Sequence, residues 1–191
     1  MKPETEPRRP SREEVLAAAG RRVPDVITAR LLVLFCGINP GLYSGATGHH
    51  FARPGNRFWR TLHAAGFTDQ GLAPWEERLL LKHRYGITNL VARATATAAE
   101  LTPAELVVGR RRLERKVRHY APRWVAVLGV GAYRTAFARP QATLGHQEER
   151  LGRARLWVLP NPSGLNANHQ LADLARAFRE LRMAAVEQHA G

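Results

Sequence analysis

Two stretches of the chain carry residue types suited to chemistry. The first is Gly37-Ile38-Asn39-Pro40-Gly41, in which glycines permit tight backbone turns and Pro40 removes one donor, so a ligand could approach the main chain closely. The same spacing also suits a plain strand-exit loop. The stretch continues as Thr47-Gly48-His49-His50-Phe51-Ala52-Arg53-Pro54-Gly55-Asn56-Arg57-Phe58-Trp59, dense in aromatic rings, arginine and glycine. Aromatic faces stack on nucleobases and arginine pairs with phosphate. The second is Asn161-Pro162-Ser163-Gly164-Leu165, a turn-forming run after an apolar segment. His49 and His50 together suggest a metal site or a general base, but no carboxylate or cysteine near them in the sequence completes a ligand set, which favours phosphate contact or loop packing. Gly129-Val130-Gly131-Ala132 resembles the opening of a dinucleotide fingerprint, yet Arg134 stands where its third glycine belongs. No cofactor is expected.

These residues need a scaffold, and the apolar pattern supplies one. Short apolar runs recur at Leu31 to Cys36, Tyr85 to Val91, Trp124 to Leu128 and Leu156 to Leu159, with candidate helices between them. Continuous rather than alternating apolar runs fit strands buried on both faces, and the alternation with helices implies a three-layer α/β/α domain with a short, mainly parallel central sheet. Thr102-Pro103-Ala104-Glu105 reads as a capping box opening a helix that runs to about His119. A last helix is expected from Gln170 to Val186, with Leu171, Leu174, Phe178, Leu181 and Ala185 on its core stripe. In open α/β sheets ligands bind beyond the carboxyl ends of the strands, which is where both stretches fall.

Composition narrows the partners. The chain has 191 residues, enough for one domain with a sizeable core. Lys+Arg 29 against Asp+Glu 16 gives a net charge of +13, and 26 of the 29 basic residues are arginine. Such a balance attracts polyanions, nucleic acid first, although an arginine excess can equally be a solvated surface. The apolar runs are far shorter than a bilayer span, so no membrane association is expected. The N-terminus, MKPETEPRRPSREE, carries acids and prolines where a secretory signal needs an apolar stretch, and a cytoplasmic, nucleoid-associated location is the simplest reading. A single cysteine, Cys36, excludes an internal disulfide framework.

Four motifs resemble the mismatch-specific uracil/thymine DNA glycosylases of the uracil-DNA glycosylase superfamily: GINPG at 37–41, TGHHFARPGNRFW at 47–59, ITNLVARAT at 87–95 and LPNPSGL at 159–165. Their order and spacing match as well, and the likeness covers about Leu31 to Leu181. The glycosylase domain is expected over 23–187, with a short tail at 188–191; residues 1–22, with three prolines, scattered charge and little apolar periodicity beyond Val15 to Ala19, read as a mobile basic tail with room for one helical turn. The resemblance implies an enzyme that flips a base out of duplex DNA into a pocket and fills the space left behind. Asn39 would be the catalytic residue, its amide oxygen holding a water near C1′ of the deoxyribose. Phe51 would stack on the flipped base, backbone groups from Ile38 to Ser44 would read its polar edge, and Asn89 would be a further pocket donor or acceptor. Asn161, Pro162, Ser163, Gly164 and Leu165 would form the insertion loop, with Leu165 as the wedge.

An amide is a poor proton acceptor, and the loop carries no acid, so the resemblance implies a slow enzyme that depends on uracil leaving as a stabilised anion. Some relatives carry an acid where this chain has Ala92. No lysine lies in the four motifs to attack C1′, so strand cleavage through a Schiff base is not expected. The implied partner is double-stranded DNA containing mismatched uracil or thymine, bound by a monomer without cofactor or metal. The alternative is a mismatch or damage sensor with little turnover.

Overall fold

A computed structural model describes residues 6–164 and 169–187. Its five strands are β1 (Val33–Gly37), β2 (Tyr85–Asn89), β3 (Trp124–Leu128), β4 (Gly145–Leu151) and β5 (Ala154–Leu159), in the order β2-β1-β3-β5-β4. The pairs β1/β2, β1/β3 and β3/β5 are parallel, and β4 runs antiparallel to β5. The expected α/β architecture with a mostly parallel sheet is therefore what the chain adopts.

β1 shows why an unbroken apolar run is required. Val33 and Phe35 enter a cluster on one face with Phe58, Phe67, Phe178 and Leu181, whereas Leu34 and Cys36 enter a cluster on the other with Leu113, Val117, Val127 and Tyr133. Helices α3 (Phe58–Ala64) and α6 (Leu171–Glu187) supply the first layer; α4 (Pro103–Tyr120) and α5 (Val130–Phe137) supply the second. Phe35 sits among four rings, stacked on Phe178 at 6.0 Å and edge-on to Phe58 at 5.6 Å, geometries that suit the ring quadrupole. α4 begins as its sequence predicts, with Glu105 N–H donating to Thr102 Oγ1 and the Glu105 carboxylate accepting from Thr102 N–H.

β4 was not anticipated from the apolar pattern, and the reason is physical. It is an edge strand reading GHQEERL, whose side chains alternate between half-buried and exposed until Leu151, and an edge that faces water needs charge rather than a continuous apolar run. Gly129 adopts φ +124° between β3 and α5, and its N–H donates to Leu159 O at 2.8 Å. A turn of this geometry accounts for the glycine.

The N-terminal segment departs from the tail expected over 1–22. A short helix α1 (Arg12–Leu16) is capped by Ser11 and Glu14, Ala18 is fully buried, and Gly20 N–H donates to Ala94 O at 2.9 Å. The helix lies against α2 (Leu42–Thr47), where a Cβ on Gly45 would stand 2.9 Å from Ala94 Cβ and 3.2 Å from Ala18 O. Small residues bury without an apolar period, which is why composition reads this segment as a tail. The short C-terminal tail expected at 188–191 lies outside the described residues.

Candidate active site

The carboxyl ends of β1, β2 and β3 and the residues after β5 surround a cavity of roughly 380 Å³. It is lined by Gly37 to Gly41, Ser44, His50, Phe51, Arg53, Asn56, Asn89, Thr95 to Ala98, Leu128, Asn161 and Ser163. Every residue expected from the first stretch and from β2 therefore meets in one place: Ile38, Asn39, Ser44, Phe51 and Asn89. Register helps, because Gly37 and Asn89 are partners at the ends of adjacent parallel strands.

The loop after β1 is laced to the segment after β2. The carbonyls of Gly37, Ile38 and Pro40 accept from the N–H groups of Leu90, Val91 and Thr95 at 2.9 to 3.1 Å, and Leu42 N–H donates to Thr95 O. These bonds commit the loop carbonyls to the protein and hold Asn39 in place. Asn39 Nδ2 donates to Thr95 Oγ1 at 2.7 Å and to Arg93 O at 3.0 Å, with Pro40 O also in reach at 3.1 Å. Thr95 Oγ1 spends its own proton on Thr97 O at 2.8 Å, so toward Asn39 it is an acceptor. The amide nitrogen is thus the end bound by protein, and the oxygen is the end left for a ligand or water. In the sequence Thr95 is the last residue of ITNLVARAT and nothing local marks it; the fold shows that it orients Asn39.

Arg93 is itself held. Its guanidinium pairs with Glu105 at 2.6 and 3.0 Å, and that bond, with the capping contact from Thr102, holds the Glu105 carboxyl down at about 2. The carbonyl that orients Asn39 is therefore fixed to the first turn of α4.

Phe51 has φ 53°, a left-handed conformation that costs a non-glycine residue about 1 to 2 kcal/mol. Its ring stacks on the fully buried Phe58 at 4.1 Å and 26°, so the core backs it while it lines the cavity. Ser44 Oγ accepts from Ala52 N–H at 3.2 Å, tying α2 to this turn. The structure also answers the question of the paired histidines. Glu77, from the 3₁₀ segment Pro74–His83, is buried, accepts His50 N–H at 2.8 Å and lies 3.1 Å from His49 Nδ1. A carboxylate is therefore present in space, though absent nearby in sequence. His50 is 2% exposed and its Nε2 lies 2.9 Å from Pro24 O, which removes it from phosphate contact and assigns it to loop packing. Among the described residues no cluster of three or more metal-ligating side chains occurs.

The second stretch meets the first through Arg57. Its backbone N–H donates to Pro162 O at 3.0 Å, Nη2 donates to Ser163 O at 2.8 Å, and Nη1 donates to His169 O. Asn161 Oδ1 accepts from Ser163 N–H at 3.0 Å, forming an Asx-type turn. A Cβ on Gly164 would lie 2.7 Å from Gly55 O. Asn161 and Ser163 line the cavity, Pro162 and Gly164 join it to the loop at 53–57, and Leu165, expected as the wedge, lies outside the described residues. Arg57 escaped the sequence reading, since one arginine among 26 carries no mark of its contacts. Among the described residues no helix is long and apolar enough to cross a membrane.

Comparisons with known proteins bear on the fold and on the family. A solution NMR structure of a Methanosarcina acetivorans protein, described as a candidate uracil DNA glycosylase, superposes with a TM-score of 0.52 at 22% identity, covering 85% of this chain and 98% of that one. At that identity the likeness shows the fold. The sequence model of the uracil DNA glycosylase superfamily matches residues 24–182, a span that takes in all four motifs and every described lining residue of the cavity. With a mostly parallel sheet whose strand ends border a cavity that holds the oriented Asn39 amide and the stacked Phe51 ring, and with that match over most of its length, this chain belongs to the uracil DNA glycosylase superfamily.

Proposed function

We propose that the protein is a monofunctional DNA glycosylase acting as a monomer on double-stranded DNA: it flips out uracil from G:U mismatches and removes it hydrolytically, leaving an abasic site. Thymine from G:T pairs and exocyclic cytosine adducts are further candidate substrates. The observation that carries the reading is the oriented Asn39 amide beside Phe51 in one cavity. The enzyme needs a bound water near C1′, a surface for the flipped base and donors for the departing anion. Asn39 Oδ1 supplies the first, the core-backed ring of Phe51 the second, and the loop from Ile38 to Ser44 borders the third.

Asn39 carries no exchangeable negative charge, and Ala92 supplies none, so the reaction relies on leaving-group stability. Uracil departs as an anion far more readily than unmodified cytosine, and the barrier sorts substrates accordingly. Among the described residues no lysine lines the cavity, in keeping with water as nucleophile and no Schiff base. Arg53 at the cavity mouth suits a flanking phosphate. Asn161 to Gly164, with Leu165, fill the vacated stack, where unstacking costs a few kcal/mol and least at a mismatch. The site of action under this proposal is the nucleoid within the cytoplasm.

Single-turnover base release decides it, on duplexes carrying G:U, A:U, G:T or C:G and on single-stranded uracil, with the protein and with Asn39→Ala. Release from G:U that Asn39→Ala abolishes supports the proposal, and comparable release from A:U makes the enzyme a broader uracil glycosylase. Tight G:U binding without release favours a mismatch sensor, the reading that the absence of an acid from the Asn39 loop would favour.

A further inference from the structure

A second cleft shares the Phe51 loop with the cavity: Phe51, Arg53 and Asn56 line both. It holds roughly 340 Å³, and Tyr43 of α2 and Trp75 of the 3₁₀ segment lie half-buried along it. Neither ring joins a core cluster, whereas Trp59 and Leu72, which also line the cleft, do. The rim is cationic. Arg9, Arg53 and Arg60 are exposed along it, and among the described residues none of their guanidiniums has a hydrogen-bond or ion-pair partner. Glu6 is the one lining carboxylate among the described residues. Arg8, by contrast, is taken at 2.5 Å by Glu14, whose carboxylate also caps α1. Pro7 and Pro10 stiffen the backbone around it. The wall at 6–9 is thereby set by α1, and it lies ahead of residues 24–182, the stretch that matches the superfamily.

Such a lining suits a nucleotide. Half-buried rings offer a face to a base of any identity, and unpaired guanidiniums offer charge to its phosphates. We propose that the cleft is a second nucleotide subsite, which takes an unpaired neighbour of the flipped nucleotide, its base against Tyr43 and Trp75 and its phosphates on Arg9, Arg53 and Arg60. This rests on reading the first cavity as the base pocket. Unstacking a paired neighbour costs at least what a ring contact contributes, so within a closed duplex the cleft stays empty. Where the neighbour is already unpaired, as in a single strand, a bubble or a fork, that cost is absent and the ring contact is gained in full. The substrate class favoured by the cleft is therefore uracil flanked by an unpaired nucleotide.

The test uses the full chain and single-stranded oligonucleotides carrying non-cleavable 2′-fluoro-deoxyuridine, with either deoxyadenosine or an abasic analogue as its neighbour on the 5′ or the 3′ side. On one of the two sides the wild type is expected to bind the adenine-flanked strand about tenfold more tightly than the abasic-flanked one, the worth of one base–ring stack. In Trp75→Leu, shown to be folded by its thermal melt, that preference is lost. A second variant, Arg9→Gln with Arg60→Gln, reduces the slope of log affinity against log salt by about 0.7 for each phosphate contact removed. Three results overturn the subsite alone: a preference that survives in folded Trp75→Leu, an unchanged salt slope in the arginine variant, or a wild type indifferent to the neighbour while still preferring 2′-fluoro-deoxyuridine to 2′-fluoro-deoxycytidine. A wild type that binds the uridine and cytidine strands alike overturns the base pocket, and the subsite with it.

Discussion

Arg57 Nη2 donates to Ser163 O at 2.8 Å across a gap of 106 residues in sequence, while the same guanidinium reaches His169 O through Nη1. One side chain thus grips the chain on both sides of residues 165–168. Its planar fork spans two carbonyls at fixed geometry, which a lysine cannot do.

Arg57→Lys is therefore expected to behave as a severe change. Base release in a single turnover falls by about tenfold or more, because misplacing a positioned group by about 1 Å already costs on that order or beyond. Free-base competition, which needs the pocket but not the insertion loop, should change little. Equal losses in both assays would assign Arg57 to the pocket instead.

Asn39→Ala removes the oriented amide, and single-turnover release of uracil should fall by about 100-fold or more, as when a preorganised polar group is deleted from a reaction centre. Thr95→Val keeps Asn39 but removes the acceptor at 2.7 Å. A smaller loss follows, about tenfold, the worth of about one hydrogen bond. The two effects should be far from additive, since the threonine acts through the amide, and a double-variant cycle of release rates measures the shortfall.

Phe51 gives a prediction on stability as well as binding. Phe51→Ala removes the ring but leaves a Cβ in the left-handed conformation at φ 53°. Phe51→Gly removes both, so urea unfolding should find the glycine variant level with alanine or more stable by up to about 1 kcal/mol, reversing the usual order. Both should weaken binding of uracil-containing DNA by about 1 to 3 kcal/mol, the worth of one base stack.

Glu105 carries an acid-range prediction. Its carboxyl is lowered from 4.5 to about 2, first by the side-chain hydrogen bond from Arg93. Because the folded value lies below the unfolded one, the stabilisation is complete above the unfolded value and is lost as pH falls from about 4.5 toward about 2. Thermal melts across that window should show Glu105→Gln less stable than the wild type at pH 6, with the difference shrinking as acid is added. The same variant loosens Arg93, so its uracil release at neutral pH should fall too.

Much of this was legible in the sequence where one residue type could serve only one purpose. The apolar run Leu31 to Cys36 fits a doubly buried strand, which forms at Val33–Gly37, and the capping pattern of Thr102 with Glu105 opens α4 as read. Ile38, Asn39, Ser44, Phe51 and Asn89 converge because consecutive parallel strands end on the same side of a sheet. What escaped was contact between segments distant in the chain. Glu77 near His49, Thr95 beneath Asn39, and Arg57 against Ser163 are ordinary residues whose partners lie 28, 56 and 106 positions away, and no local period marks them. β4 and the seated N-terminal segment were missed for the opposite reason, since a charged edge strand and a patch of small residues carry too few apolar side chains to register.

At Gly164 the main chain comes so near Gly55 that a methyl group would stand 2.7 Å from the Gly55 carbonyl. The loop bearing Phe51 and the loop after β5 therefore meet at a backbone contact that leaves no room for a side chain at Gly164, and remodelling one loop bears on the other. A side chain at Gly164, or a residue inserted on either side of the contact, has to be accommodated by a shift of the Gly55 backbone. Anyone transplanting base preference between such proteins should carry both loops across, because a graft of one alone sets a new surface against an old hinge cut for something else.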